Sequence, residues 1–503
     1  MPPPDTKTET TPILSSGLSG LDELLGGGFT TGRAYQVRGQ PGTGKTILGW
    51  HFLTAASDDE TALMITFDEP ADQLRTEAAE LGLDPTPVET LDLSPTSNEF
   101  ADQESYDVFV GPDANQRPVP EAIAETMEEV HPDRIVVDSM LLFRYLSADA
   151  AQRRKQTLAF LRYLKEQDAT VLLLSERLSD SSDDDLHFLC DGIIELNRGD
   201  EGRTIRVLKQ RGRGFRNGTH SIAINDQGLT VYPRLRPTGG TSSTPEEVLS
   251  SGVPEIDQLL GGGFDRGTVT MISGPSGVGK TTLGLQLVKE TAGQGERSVI
   301  LSFEEERKTL ISRSTQINIP VAKMIEQGTV SVKPFRPWSF DTGQFDDHIR
   351  REVEQNDTSM VMIDSLNSFW KCGNQKDQEE QIHRVCKYLI EHGVTVLLIN
   401  EVGDITGNFR VTEVGLSHLA DNLIFLRYLE MRGELRKAIG VLKRRTGNFE
   451  NNLREFQITE YGLKVGAPLT QLRGILTGTP EWTNGPDAAA PHSTNGRSAP
   501  EAL

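Results

Sequence analysis

Three residue classes are scarce in this 503-residue chain. There are three cysteines, Cys190, Cys372 and Cys386, with neither disulfide-framework nor metal-ligand spacing, so they read as buried or idle thiols of a reducing cytoplasm. No apolar run approaches the roughly 18 residues that a membrane span needs, and the opening MPPPDTKTETTP lacks a basic stretch followed by an apolar core, which excludes a secretory signal. Basic residues are outnumbered, 51 against 73 acidic, for a formal net charge of −22. That charge repels phosphate backbones at long range and argues against general nucleic-acid affinity.

What is present is a repeat. SSGLSGLDELLGGGF at 15–29 returns as SSGVPEIDQLLGGGF at 250–264, with ten of fifteen positions identical at an offset of 235. The same offset joins GQPGTGKT (39–46) to GPSGVGKT (274–281), and small drifts join TFDEP to SFEEE, RIVVDS to MVMIDS, LLLSE to LLINE and LKQR to LKRR. Six features in one order define a duplicated domain, with the drifts absorbed in loops. The Pro/Gly/Ser/Thr-rich stretch around 233–247 reads as a linker. The expected organisation is a disordered N-terminus at 1–12, a first domain at 13–235, a linker at 236–247, a second domain at 248–478 and a disordered tail at 479–503.

Within each half, short apolar runs (AYQVRG, ALMITF, RIVVDS, TVLLLS; TVTMISG, SVILSF, MVMIDS, TVLLIN) alternate with amphipathic segments such as 152–167 and 378–393. Unbroken apolar strands alternating with helices predict an α/β fold, two tandem mainly parallel sheets each covered by helices on both faces.

GQPGTGKT and GPSGVGKT match G-x-x-x-x-G-K-[ST], each after an apolar strand and before a helical segment. In such a loop glycines allow a tight turn whose N–H groups point at phosphate oxygens, at the positive end of the next helix. The predicted nucleotide-binding residues are Gly39, Gly42, Thr43, Gly44, Lys45 and Thr46, and Gly274, Ser276, Gly277, Val278, Gly279, Lys280, Thr281 and Thr282. Lys45 and Lys280 reach the β- and γ-phosphates of ATP, while Thr46 and Thr281, with the strand-terminal Asp138 and Asp364, are candidate Mg²⁺ ligands. Asp68–Glu69 and Glu304–Glu305 directly follow the strands LMITF and VILSF and are candidates to orient or deprotonate an attacking water. Lys209/Arg211 and Lys443/Arg445 alternate along a predicted strand, so each pair faces one side, suited either to transferring phosphate or to defending an edge strand.

Together these motifs resemble the KaiC family of double-domain ATPases and autokinases, over about residues 12–480, including LREFQITEYGL (453–463) and ILTGTP (475–480). The resemblance implies RecA-like domains in a homohexamer, ATP between subunits, and the K-x-R pairs reaching the neighbour's site in trans. It implies water as the nucleophile at the first site and a neighbouring hydroxyl at the second. The family's acceptor pattern falls on RVTEVGLSHLADNL (410–423), where Thr412 and Ser417 match and His418 replaces the next hydroxyl, leaving Ser417 as the main candidate phosphoacceptor. Asp68 stands where the family usually has Glu, which implies slow hydrolysis in the first domain. No KaiA- or KaiB-type docking site is read from the chain. The function expected is a slow ATPase and serine autokinase used as a regulatory switch. Two alternatives stay open: a nucleic-acid-dependent motor, for which only the basic QRGRGFRNG (210–218) speaks, and an ATP-assembled scaffold.

Overall fold

Glycine and apolar patterning resolve into two sheets with one plan. The computed structural model describes residues 12–94, 119–140, 150–176, 184–199, 202–237, 239, 247–337, 340–372, 375–402, 418–431, 433–473 and 481–482. The chain divides into two compact units that meet in sequence between Arg234 and Leu235.

The main sheet of the first unit contains β1 (Ala34–Gly39), β2 (Ala62–Thr66), β3 (Val88–Asp92), β4 (Arg134–Asp138), β5 (Thr170–Glu176), β6 (Gly192–Gly199), β7 (Gly202–Gln210), β8 (His220–Asn225) and β9 (Gly228–Tyr232). Their order is β3-β2-β4-β5-β1-β6-β7-β8-β9. The strands from β3 to β6 pair in parallel, and β7, β8 and β9 are added antiparallel. The second unit repeats this order with β10 (Val269–Gly274), β11 (Arg297–Ser302), β12 (Val330–Pro334), β13 (Thr358–Asp364), β14 (Thr395–Glu401), β15 (Asn422–Met431), β16 (Glu434–Arg444), β17 (Arg454–Thr459) and β18 (Gly462–Pro468): β12-β11-β13-β14-β10-β15-β16-β17-β18.

The predicted fold is therefore present. The four apolar runs of each half are the central parallel strands, buried along nearly their whole length. Helices cover them, among them Lys45–Thr54 and Ala150–Glu166 in the first unit and Lys280–Gly293 and Gln375–Glu391 in the second. Leu48, Phe52, Val136 and Leu174 belong to one core, and Leu283, Leu287, Met362 and Ile399 to its counterpart.

The SSG…LLGGGF segments are structural devices. Ser15 Oγ donates to Asp22 at 2.6 Å and the Ser16 N–H to the same carboxylate at 2.8 Å; Ser250, Ser251 and Asp257 repeat both bonds at the same lengths. The segment thus closes on itself and delivers the chain to β1 or β10, the strand that carries the phosphate loop.

Among the described residues no helix is long and apolar enough to cross a membrane. Cys190 and Cys386 are buried free thiols and Cys372 is half-buried. Burial pushes the Cys190 and Cys386 thiols up to about 12 and Cys372 to about 11, so all three stay protonated.

Candidate active sites

Each phosphate loop leaves the carboxyl end of the sheet and turns into a helix. Gly44 (φ 101°) and Gly279 (φ 117°) cap the helices beginning at Lys45 and Lys280 in the left-handed region. A Cβ at Gly279 would lie 2.6 Å from Ile458 Cδ1 and push that side chain aside, while the left-handed backbone angle itself calls for glycine. Lys45 Nζ donates to the carbonyls of Gly39 and Gln40, both at 3.1 Å. Lys280 Nζ donates to the Pro275 carbonyl at 2.8 Å and lies 3.4 Å from Glu401 Oε2. Thr43 Oγ1 braces its loop on the Gln40 carbonyl at 2.8 Å. Val278 is buried in the second core. The adjoining hairpin grips the second loop too: Tyr428 OH donates to the Ser276 carbonyl at 3.3 Å and Lys437 Nζ to that of Gly277 at 3.1 Å. At the first loop Arg203 Nε donates to the Gly42 carbonyl at 3.3 Å.

Asp138 and Asp364 meet these loops from β4 and β13. Thr46 Oγ1 donates to Asp138 Oδ2 at 2.7 Å, and Thr281 hydrogen-bonds Asp364 in the same way. Burial pushes both carboxyls up to about 6, against the hydroxyl bond that lowers them; Asp68 and Glu69, or Glu304 and Glu305, add repulsion. A carboxyl whose folded value is raised binds protons more tightly folded than unfolded. Its contribution to stability is therefore fully present below 3.8 and is lost as pH rises through about 6. The gap is on the order of 3 kcal/mol per group. Asp364→Asn is thus expected to raise the melting temperature of nucleotide-free protein at pH 8 and to change it little at pH 4, read by thermal unfolding across that range.

The acidic pairs sit beside these aspartates because of a shared main-chain link. Phe67 N–H donates to the Asp138 carbonyl at 2.8 Å and Phe303 N–H to the Asp364 carbonyl at 2.6 Å. Both phenylalanines point into the core, leaving the next two carboxylates at the mouth. Ser139 Oγ donates to Asp68, and Ser365 Oγ to Glu304, which also receives Ser368 Oγ at 3.0 Å. Glu305 pairs with Arg313 at 2.7 Å. Burial, then Glu77 and Asp68, raises the Glu69 carboxyl. Ser139, Ser365, Ser368 and Arg313 carry no motif in the sequence. A small residue repeated directly after the strand-terminal aspartate, in VVDS and MIDS, was the available signal.

The K-x-R pairs are elsewhere. Lys209 Nζ donates to the carbonyls of His187 and Cys190 at 2.6 and 2.7 Å, and Arg211 to that of Phe188 at 3.2 Å. Lys443 Nζ donates to the Ala420 carbonyl at 2.6 Å and Arg445 to Asp421 at 2.9 Å. Lys209 and Arg211 both reach the segment before β6, and Lys443 and Arg445 both reach the segment before β15. Arg211 and Arg445 nevertheless lie just past the strands, which end at Gln210 and Arg444 after an irregularity in register. Gln210 pairs with Gly192, which pairs with Tyr35 near the start of β1. The cations therefore stand at the amino edge of the sheet, roughly 15 Å along β1 from the phosphate loop of the same domain.

The basic segment at 210–218 is tied down locally. Arg213 donates to the Gly26 carbonyl at 3.0 Å, Arg216 pairs with Glu23, and Phe215 packs on the core. Thr412 and Ser417 lie outside the described residues.

Two phosphate loops at the carboxyl edges of two like-ordered parallel sheets, each backed by a lysine, a threonine and a strand-terminal aspartate, define a tandem RecA-like P-loop ATPase. The family model for the KaiC ATPase matches the chain twice, at residues 14–236 and 249–470. The chain belongs to the KaiC ATPase family. It is 28% identical over 505 residues to the circadian clock protein KaiC3 of Synechocystis sp., covering 95% of this chain and 96% of the relative. It is 28% identical to the circadian clock oscillator protein KaiC of Prochlorococcus marinus (94% and 96% covered) and 26% identical to that of Synechococcus elongatus (92% and 91% covered).

Proposed function

We propose that this chain is a slow Mg·ATP-hydrolysing regulator whose second domain is a serine autokinase, and that it works as a homohexamer with ATP between subunits. The observation carrying the reading is the separation within each domain. Lysine, threonine and aspartate gather at the carboxyl edge, while Lys209/Arg211 and Lys443/Arg445 stand at the amino edge, out of reach of their own loop. A cation pair of that kind completes a phosphate site only on another copy of the chain.

The residues present fit Mg²⁺. Its coordination shell takes hard oxygens, few from protein and the rest from water and phosphate. Thr46 with Asp138, and Thr281 with Asp364, supply such an oxygen pair at each loop. No group of three or more His, Cys, Asp or Glu side chains placed to hold a metal occurs among the described residues. Bound there, Mg²⁺ would supply positive charge to offset the negative charge of the triphosphate. Lys45 and Lys280 hold the same phosphates, and Asp68/Glu69 and Glu304/Glu305 orient the nucleophile or take its proton. Asp68, one methylene shorter than Glu304, leaves the first site slower. At the second site the nucleophile is the Ser417 hydroxyl of a neighbouring copy, with Thr412 a lesser acceptor. The relatives' names place them in circadian clocks, and a timing role is the physiological setting we favour.

Two measurements test this. After incubation with Mg·ATP, intact-mass analysis is expected to find one added phosphate, absent in Ser417→Ala; an unmodified wild-type chain would remove the kinase and leave an ATP-assembled scaffold. Light scattering is expected to find a hexamer whose population rises with ATP. Stimulation of turnover by single-stranded DNA would instead favour a nucleic-acid motor.

A further inference from the structure

Strands β5 and β14 both end in glutamate. In both domains that glutamate is the cross-strand neighbour of the last residue of the phosphate-loop strand: Glu176 beside Gly39, Glu401 beside Gly274. At the second site the carboxylate meets the loop lysine, with Glu401 Oε2 3.4 Å from Lys280 Nζ. Lys280 is only 6% exposed. The end of β14 is itself fixed, because the Glu401 N–H donates to Asn367 Oδ1 at 2.9 Å.

A lysine that grips triphosphate gains no affinity from a carboxylate beside it, since the same negative charge repels the phosphates. An ion pair on a buried lysine also costs desolvation of both charges, so stability alone is a weak reason for it. The position is occupied in both halves all the same. We infer that Glu401, and less strongly Glu176, is a positioning residue that acts as counter-charge to the phosphate-loop lysine, holding the ammonium at the mouth of the loop and competing with the nucleotide's phosphates for it. The inference rests on the nucleotide sites proposed above.

The electrostatics agree with the geometry. Burial lowers the proton affinity of Lys280, and Glu401 is the strongest influence opposing it, followed by Asp364 and Glu304. Around Lys45 burial again lowers and Glu176 raises most, acting through space without a hydrogen bond. A buried amine stripped of its counter-charge gives up its proton more readily.

The test is titration with the fluorescent nucleotide mant-ADP in a Lys45→Ala background, so that the second site alone reads. Glu401→Gln is expected to bind roughly threefold to tenfold tighter at pH 7. Glu401→Asp, with the carboxylate withdrawn by one methylene, is expected between the two, and it reads the same competition should E401Q fail to fold. Glu176→Gln in a Lys280→Ala background is expected to shift binding less. Unchanged affinity in E401Q would overturn the inference. So would weaker binding by an E401Q chain with a normal melting temperature. Failure of the parent itself to bind mant-ADP would sink the nucleotide site, a distinct result.

Discussion

Lys280→Ala is expected to lose roughly a hundredfold or more in affinity for adenine nucleotide at the second site, and Lys45→Ala to do the same at the first. A hydrogen bond to a charged oxygen contributes about 1.5–3 kcal/mol, and each lysine is proposed to reach two phosphates. The loss arises in a setting that water cannot repair: Lys280 is buried, and its other partners are the Pro275 carbonyl and Glu401. Without the ammonium, a triphosphate would face Glu401, Asp364 and Glu304 with the loop's own cation gone. Equilibrium dialysis with labelled nucleotide checks this, each single variant retaining about half the sites. A double variant that still held nucleotide as the parent does would end the reading of both loops.

Arg445→Ala is expected to leave nucleotide binding near normal and to cut turnover at the second site by roughly three orders of magnitude, the scale on which a cation placed at transferring phosphate acts. The discriminating measurement mixes two inactive proteins. Lys280→Ala cannot hold nucleotide but keeps its cations, and Arg445→Ala lacks the cation but keeps its loop. With the first site silenced in both, recovery of turnover on mixing is expected, because some junctions then pair an intact loop with an intact Lys443/Arg445. Equal inactivity before and after mixing would mean that the arginine serves its own chain, against the roughly 15 Å that separates it from that loop. Among the described residues Arg445 pairs with Asp421 and is well exposed, so its removal is expected to leave the fold intact.

Much of this was legible in the sequence because the decisive signals are covalent neighbours. A glycine turn, a lysine and a threonine occur in one run of eight residues at the end of an apolar strand, and the strand-terminal aspartate follows three apolar positions in the first domain and four in the second. Central strands such as Arg134–Asp138 are buried almost throughout and so read as apolar runs. Val88–Asp92 and Val330–Pro334 escaped notice because they are outermost in the parallel order and bury only one or two side chains. The same limit applies at the sites. Ser139, Ser365, Glu176 and Glu401 matter through register and hydrogen bonding with distant segments, which spacing cannot express. Arg211 and Arg445 fell outside their strands because the partner strands begin at Gly192 and Asn422, opposite Gln210 and Arg444, a limit with no residue signature of its own.

The opposed placement of loop and cations on each sheet gives every subunit a donor face and an acceptor face. Two copies related by a two-fold axis would set like face against like and complete no site. Assembly that completes every site has to be heterologous, head to tail, and has to close to avoid growing into a filament. In such a circle one inert subunit impairs the junction on either side of it and no other, so activity should fall with the dose of a defective chain as the product of two neighbours' fitness rather than as an all-or-none collapse.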